Sequence, residues 1–239
     1  MTLEQAIDEL FTHSEIVVGI DFDGTLAPLV EHPDLAIPDA RAVQALRILA
    51  KREGILLAVV SGRSHAALRE RLGEVEGAVY IGEHGNDTGE TDTPHPRVVV
   101  EMGDLVDALA REIPGAFSER KTGSATFHYR GVADEVSGRA LEEIRDWVSR
   151  RPEVSVIEGK RVVELTTATR NKGDAIMELA GQNPVIYIGD DATDETVFAA
   201  LRPEDVGVKV GDGVTAAKFR VEDIEGVVAI LEQMVLASM

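Results

Sequence analysis

Five short apolar runs rich in β-branched residues, Ile16–Asp21, Ile55–Ser61, Ala78–Gly82, Val185–Asp190 and Val206–Val210, alternate with stretches whose apolar positions recur at helical spacing. No other feature of the sequence restricts the fold as much. Parallel neighbouring strands need a crossover long enough to hold a helix, so strand and helix in alternation mark parallel βαβ units. The helical stretches fall at about 39–52, 64–72, 172–181 and 194–201, with a last one near 224–237, and Met1–Phe11 reads as an amphipathic helix. The spacing predicts an α/β protein with a doubly wound, Rossmann-like parallel sheet.

The rhythm breaks in the middle of the chain. Helical spacing over 102–113 is followed by strand patterns at Phe117–Lys121 and Thr126–Arg130, a helix over 133–150, and a hairpin of Val154–Glu158 with Arg161–Thr166. This αββαββ order predicts an inserted antiparallel α+β domain over 101–167, with 1–100 and 168–239 forming the core. Glu158-Gly159-Lys160 offers a glycine for the hairpin turn. The connections are expected at 86–97, rich in Gly, Thr, Asp, His and Pro, and at 167–171.

Composition removes several function classes. A net charge of -19 opposes binding to nucleic acid or an anionic membrane, both of which need basic surface. There is no cysteine, which excludes disulfides, thiolate catalysis and Cys-ligated metals. No apolar run reaches bilayer length and the start lacks a secretory pattern, so a cytoplasmic protein is expected. Chemistry must come from oxygen and nitrogen groups.

In a doubly wound sheet, ligands sit at the carboxyl ends of the strands. The first strand runs into Asp21-Phe22-Asp23-Gly24-Thr25 and the second into Ser61-Gly62-Arg63. The third leads to Glu83-His84-Gly85 and the fourth to Gly189-Asp190-Asp191-Ala192-Thr193-Asp194-Glu195. Taken singly, an Asp or Ser after a strand is an ordinary turn former or helix cap. Together, Asp21, Asp23 and Asp190 would repel one another without a cation. Oxygen-only ligands with few carboxylates suit Mg²⁺. Glycine at 24 fits a sharp turn that brings backbone amides near an anion. Lys172 is either a solvated surface lysine or, at the head of the first core helix after the insert, a counter-charge to this rim.

Asp21-Phe22-Asp23-Gly24-Thr25, Ser61, Lys172 and Gly189-Asp190-Asp191 resemble the four motifs of the haloacid dehalogenase superfamily of phosphatases. Within it, Val60-Ser61-Gly62-Arg63, His84-Gly85, Phe127-His128-Tyr129-Arg130, Gly159–Leu165 and Gly189–Glu195 are similar to the trehalose-6-phosphate phosphatase family, with the likeness spanning roughly 16–213. The resemblance implies hydrolysis of trehalose 6-phosphate to trehalose and phosphate, the last step of trehalose biosynthesis. Asp21 would be the nucleophile and Asp23 the acid and base. Ser61 and Lys172 would hold the phosphoryl oxygens, and Mg²⁺ would sit on Asp21, Asp190 and the Asp23 carbonyl. Asp191 and Asp194 would either contact the metal or support its ligands. Gly24, Thr25, Gly62, Arg63, His84 and Gly85 would line the substrate, and the insert would act as a cap whose Glu119, Lys121, Arg130 and Glu164 read the distal sugar.

Two features depart from the pattern. Asp87 stands where the family would have Glu, and no synthase domain accompanies the phosphatase, which implies a stand-alone, monomeric enzyme acting on a small sugar phosphate. Three rival readings stay open: a phosphatase for sucrose 6-phosphate or a mannosyl- or glucosyl-3-phosphoglycerate, a sugar phosphomutase, and a phospho-receiver domain.

Overall fold

The computed structural model describes residues 1–30, 32–89, 95–167 and 170–238. Their elements follow in the order α1 (Leu3–Leu10), β1 (Ile16–Asp21), α2 (Ala40–Leu49), β2 (Ile55–Val60), α3 (His65–Leu72), β3 (Val79–Ile81), α4 (Pro96–Glu112), β4 (Phe117–Arg120), β5 (Ser124–His128) and α5 (Asp134–Ser149). Then come β6 (Ser155–Gly159), β7 (Val162–Thr166), α6 (Lys172–Ala180), β8 (Val185–Gly189), α7 (Glu195–Ala200), β9 (Val206–Val210), β10 (Phe219–Val221) and α8 (Ile224–Ala237). The chain divides into two compact units, Met1–Gly89 with Arg170–Met239, and Glu90–Thr169.

The first unit is a six-stranded sheet in the order β10-β9-β8-β1-β2-β3, parallel at every pairing. β1 is buried along its whole length, as a central parallel strand covered on both faces must be. Its two faces feed different cores. Val18 and Ile20 join Leu46, Leu49, Val227 and Leu231 of α2 and α8 on one side, while Val17 joins Ile176, Val197 and Phe198 of α6 and α7 on the other. From β1 the connections run outward in opposite directions, to β2 on one side and β8 on the other. That reversal opens a crevice at the carboxyl ends of β1 and β8, where Asp21 and Asp190 lie.

The second unit is an antiparallel sheet, β4-β5-β7-β6, with α4 and α5 on one face. Ala125, Phe127, Val163 and Leu165 point into that helical layer beside Met102, Val106, Leu109 and Ile144. The opposite face carries Glu119, Thr126 and Glu164 side by side on one rung across β4, β5 and β7. The fold is therefore a doubly wound α/β core with an inserted αββαββ unit, as the sequence pattern predicts.

Several details differ from the pattern. The helix expected from 102 begins at Pro96, since proline is favoured at a helix start. Of the two expected connections, 90–94 and 168–169 lie outside the described residues. The strand expected at Thr126–Arg130 is Ser124–His128, which leaves Arg130 exposed in a turn beyond it. In the second hairpin Gly159 pairs with Val162 and the left-handed residue is Arg161, at φ 66°, not the glycine. β10, at 3 residues, is too short to show a period of two.

Candidate active site

The rim begins with a tight reversal after β1. The Phe22 carbonyl accepts from the amides of Leu26 and Ala27, both at 2.9 Å, and Gly24 N–H donates back to the Ala27 carbonyl at 2.7 Å. Gly24 takes φ +89°, and a Cβ there would collide with the Asp190 carboxylate. Only glycine combines that turn with so close an approach. Thr25 is buried below and its hydroxyl reaches Asp190 Oδ1 at 3.4 Å.

Lys172 is not a surface residue: it is 1% exposed, and its ammonium donates to Asp21 Oδ1 at 2.6 Å and to Asp194 Oδ1 at 2.8 Å. α6 delivers it because Asn171 caps the helix in a reciprocal capping box with Asp174. Gly85 lies against the Asn171 carbonyl, and Asn86 bonds the backbone of Arg170, so the loop after β3 holds the head of α6.

Asp194, wholly buried, organises the second half of the rim. Its Oδ1 accepts from Lys172 and from the Tyr187 hydroxyl at 2.7 Å, and its Oδ2 accepts the amides of Asp190 at 2.9 Å and Asp191 at 3.0 Å. A carboxylate has about four acceptor positions, and here all are used. Although Asp21, Asp190 and Asp194 each bring one oxygen within 4.8 Å of the others, Asp194 is committed to orienting its neighbours. Asp191 takes Thr193 and the Asp194 amide on its Oδ1. The Asp190 carboxylate takes only the long contact from the Thr25 hydroxyl among the hydrogen bonds described, and Lys209 donates to its backbone carbonyl. A cavity of about 270 Å³ lined by Gly24, Pro28, Leu29, Asp190, Gly211 and Glu222 opens beside it.

Ser61 continues β2, its amide donating to the Ile81 carbonyl at 2.9 Å, and is buried with its hydroxyl accepting from Arg63 N–H at 3.2 Å. Arg63 forms a bidentate pair with Asp23, at 2.7 and 2.6 Å. His84, at φ 54°, donates its amide to the Ser61 carbonyl at 3.0 Å, and Gly62 leaves room for the imidazole. Asp87 accepts the amides of His65 and Gly89, which pins the loop after β3 to the start of α3. The shorter acid thus serves the backbone.

The electrostatics show a deficit of positive charge. Burial alone would depress the Lys172 ammonium, but Asp194 and Asp21 hold it well above its usual range. Asp21 is pushed well up, first by burial; Lys172 opposes this, while Asp194, Asp191 and Asp190 add to it. Asp190 rises to about 7 through burial and then through its neighbours Asp191 and Asp194. The two buried lysines, Lys172 and Lys209, do not offset the four carboxylates Asp21, Asp190, Asp191 and Asp194, and Asp190 stays raised. A hard divalent cation bound by oxygen would offset them, and the donors present suit one.

In the second unit, Glu119, Lys121 and Glu164 gather on the sheet face away from the helices. Glu164 accepts from Lys121 at 3.0 Å and from Ser124 at 2.7 Å. Glu119 faces His128 Nε2 at 3.0 Å, and the His128 ring stacks on Phe117 at 4.2 Å. Arg130 stands outside the strand.

Sequence reasoning overlooked Tyr187, Lys209, His128 and Ser124 as site residues. A lysine inside the buried run Val206–Val210 was a visible signal; the tyrosine in β8 looks like any apolar strand residue.

Fold and rim together define a doubly wound α/β protein of the haloacid dehalogenase kind, with a strand-end carboxylate cluster around a buried lysine. The Trehalose-phosphatase family model matches residues 19–225, and the chain belongs to that family. It is 32% identical over 241 residues to the trehalose-6-phosphate phosphatase of Escherichia coli K12, covering 91% of this chain and 85% of that protein. It is also 32% identical to the bifunctional trehalose-6-phosphate synthase/phosphatase of Thermoproteus tenax, over 90% of this chain but only 31% of that protein. For the trehalose-phosphate phosphatase of Mycobacterium ulcerans the identity is 34%, over 86% of this chain and 57% of the relative. The chain thus spans well under two thirds of several relatives. The crystal structure of a trehalose-6-phosphate phosphatase related protein superposes with a TM-score of 0.80 at 28% identity, covering 92% of this chain and 97% of that one. Among the described residues, no helix is long and apolar enough to cross a membrane.

Proposed function

We propose that this chain is a Mg²⁺-dependent phosphatase that hydrolyses trehalose 6-phosphate to trehalose and phosphate through an aspartyl-phosphate on Asp21. The observation that carries the reading is the buried Asp21–Lys172–Asp194 chain beside the under-neutralised Asp190, at the crevice between β1 and β8. Family membership supplies the substrate class.

An Asp21 oxygen bonds to phosphorus as the ester P–O bond breaks, and Asp23 gives its proton to the departing sugar oxygen. Asp23, now a carboxylate, takes a proton from water as the water oxygen bonds to phosphorus and the bond to Asp21 breaks. Lys172 and the Ser61 hydroxyl are the donors for the phosphoryl oxygens, set in place before charge develops. Asp21, Asp190 and the Asp23 carbonyl would hold Mg²⁺, which when bound supplies the positive charge that lets an anionic nucleophile meet an anionic ester. The polar sheet face of the second unit, with Glu119, Lys121 and Glu164, reads sugar hydroxyls, and Arg130 contributes from its turn. Paired polar groups suit that task, since a substrate lacking the matching hydroxyl leaves them unsatisfied. The same reading expects a cytoplasmic protein, in keeping with the absence of cysteine, and a monomer.

Turnover of trehalose 6-phosphate, sucrose 6-phosphate and glucosyl-3-phosphoglycerate with Mg²⁺ tests the proposal. A clear preference for the first is expected. Preference for another ester would keep the chemistry and remove the substrate, and isomerised sugar phosphate in place of free phosphate would mark a mutase.

A further inference from the structure

Asp23 is given both proton transfers by the proposed mechanism, yet one side chain engages both of its carboxylate oxygens. Arg63 Nε donates to Oδ2 at 2.7 Å and Nη2 donates to Oδ1 at 2.6 Å. The guanidinium is itself fixed by groups other than Asp23. Nη2 also donates to the Pro33 carbonyl at 2.9 Å, the Phe22 ring lies 5.1 Å below the guanidinium carbon, and the Arg63 amide is tied to the Ser61 hydroxyl. Arg63 is 9% exposed and the Asp23 side chain 33%. The arginine is the anchor and the aspartate the group it aims.

The planar fork of arginine sets both the distance and the angle of a carboxylate, which a lysine ammonium cannot do. An arginine gripping a substrate phosphate would turn that fork toward the ligand; here it is occupied by Asp23. We propose that Arg63 is a positioning residue for Asp23, holding the acid–base carboxylate at the rim in one orientation, and that it does not bind the phosphoryl group. The fork takes one acceptor position on each Asp23 oxygen and leaves a second on each, so the proton can be carried on the position turned away from Arg63 while the fork keeps Asp23 aimed.

This inference rests on the phosphatase reading, and leaving-group dependence separates the two. The sugar oxygen of trehalose 6-phosphate needs a proton as it departs, whereas the phenolate of p-nitrophenyl phosphate does not. kcat/KM reports the steps up to the first phosphoryl transfer, so it isolates the acid role. In Arg63→Gln, kcat/KM for trehalose 6-phosphate is expected to fall on the order of 100-fold, and for the aryl ester about tenfold or less. Arg63→Lys, which keeps the charge but not the fork, should recover part of the loss on the sugar ester only. In Asp23→Asn the same split should appear, and adding Arg63→Gln to it should cost little more, since both changes remove one function.

Equal losses on the two esters in a folded variant, or additive losses in the double variant, would overturn the proposal. Thermal melts establish folding, and if Arg63→Gln does not fold, Arg63→Lys is judged by the same split. Wild-type protein with Mg²⁺ that cleaves neither ester would instead remove the phosphatase reading itself.

Discussion

At the rim of the six-stranded sheet, the buried Lys172 bonds Asp21 and Asp194, while Asp190, with only Lys209 on its backbone carbonyl, stays raised. On the polar face of the four-stranded sheet the acids have hydrogen-bond partners in place, Lys121 and Ser124 for Glu164 and His128 for Glu119. On the proposed reading, an acidic cluster short of positive charge is completed by a cation, which also offsets the anionic phosphoryl group. On the same reading, a face whose acids already have partners exchanges neutral groups, because a sugar hydroxyl can replace one hydrogen bond without leaving an ion unpaired. Changes at the rim should therefore abolish chemistry for every ester. Changes on the polar face should alter which ester is chosen.

The largest effect is expected from Asp21→Asn. Removal of the nucleophile should lower turnover of trehalose 6-phosphate and of p-nitrophenyl phosphate by about 10⁴-fold or more, and chelation with EDTA should silence both esters until Mg²⁺ is restored. Substantial activity in either case would take the covalent mechanism away from this rim.

Lys172→Met should cost nearly as much activity and should also weaken the fold. It strands the charges of Asp21 and Asp194 in the interior, and breaking a buried pair costs about 3–5 kcal/mol. For a chain of this size that is a drop in Tm of roughly 10 °C. An unchanged Tm would mean that Lys172 is not the neutralising partner its contacts describe.

The rim could be read from sequence because its groups follow strands, and a parallel sheet places all strand ends on one side. Asp21, Ser61 and Asp190 needed only that rule. Lys172 was ambiguous, since no local pattern distinguishes a helix-head lysine pointing inward from one in solvent. Asp194 could be named but not ranked against Asp191, because saturation by Lys172, Tyr187 and two amides is a property of three-dimensional approach. The polar face was less legible. Alternation assigned faces to 126–130, but the strand ends at His128, so the rule lapses before Arg130. Cross-strand neighbours such as Ser124 and Glu164 lie 40 residues apart. No period within one strand reports them.

Glu164→Ala tests the polar face. It should lower kcat/KM for trehalose 6-phosphate by about 10- to 100-fold, the scale of one lost hydrogen bond to a charged group, and p-nitrophenyl phosphate should suffer far less. Equal losses on the two esters would deny the face its part in sugar reading.

The smallest effect, and the most direct comparison of the two sheets, is in how stability follows pH. Asp190 rises from an ordinary 3.8 to about 7 in the folded protein. Between those values the folded state binds more protons than the unfolded one, so this group makes stability fall as pH rises through the window. For Glu119 burial pushes upward, but the His128 hydrogen bond and the charges of Lys121 and His128 outweigh it and hold the carboxyl below its usual range. Its contribution is present above the unfolded value and is lost only as pH falls through the lowered one. In EDTA, then, Tm should be several degrees lower at pH 8 than at pH 5.5, and Mg²⁺, which requires the deprotonated carboxylates, should raise Tm more at pH 8. Asp190→Asn should reduce the pH dependence in EDTA, the remainder coming from Asp21, which is also pushed well up, and should reduce the Mg²⁺ effect, whereas Glu119→Gln should leave both unchanged over this range. If Glu119→Gln changed them as much as Asp190→Asn, the charge deficit would not be confined to the rim.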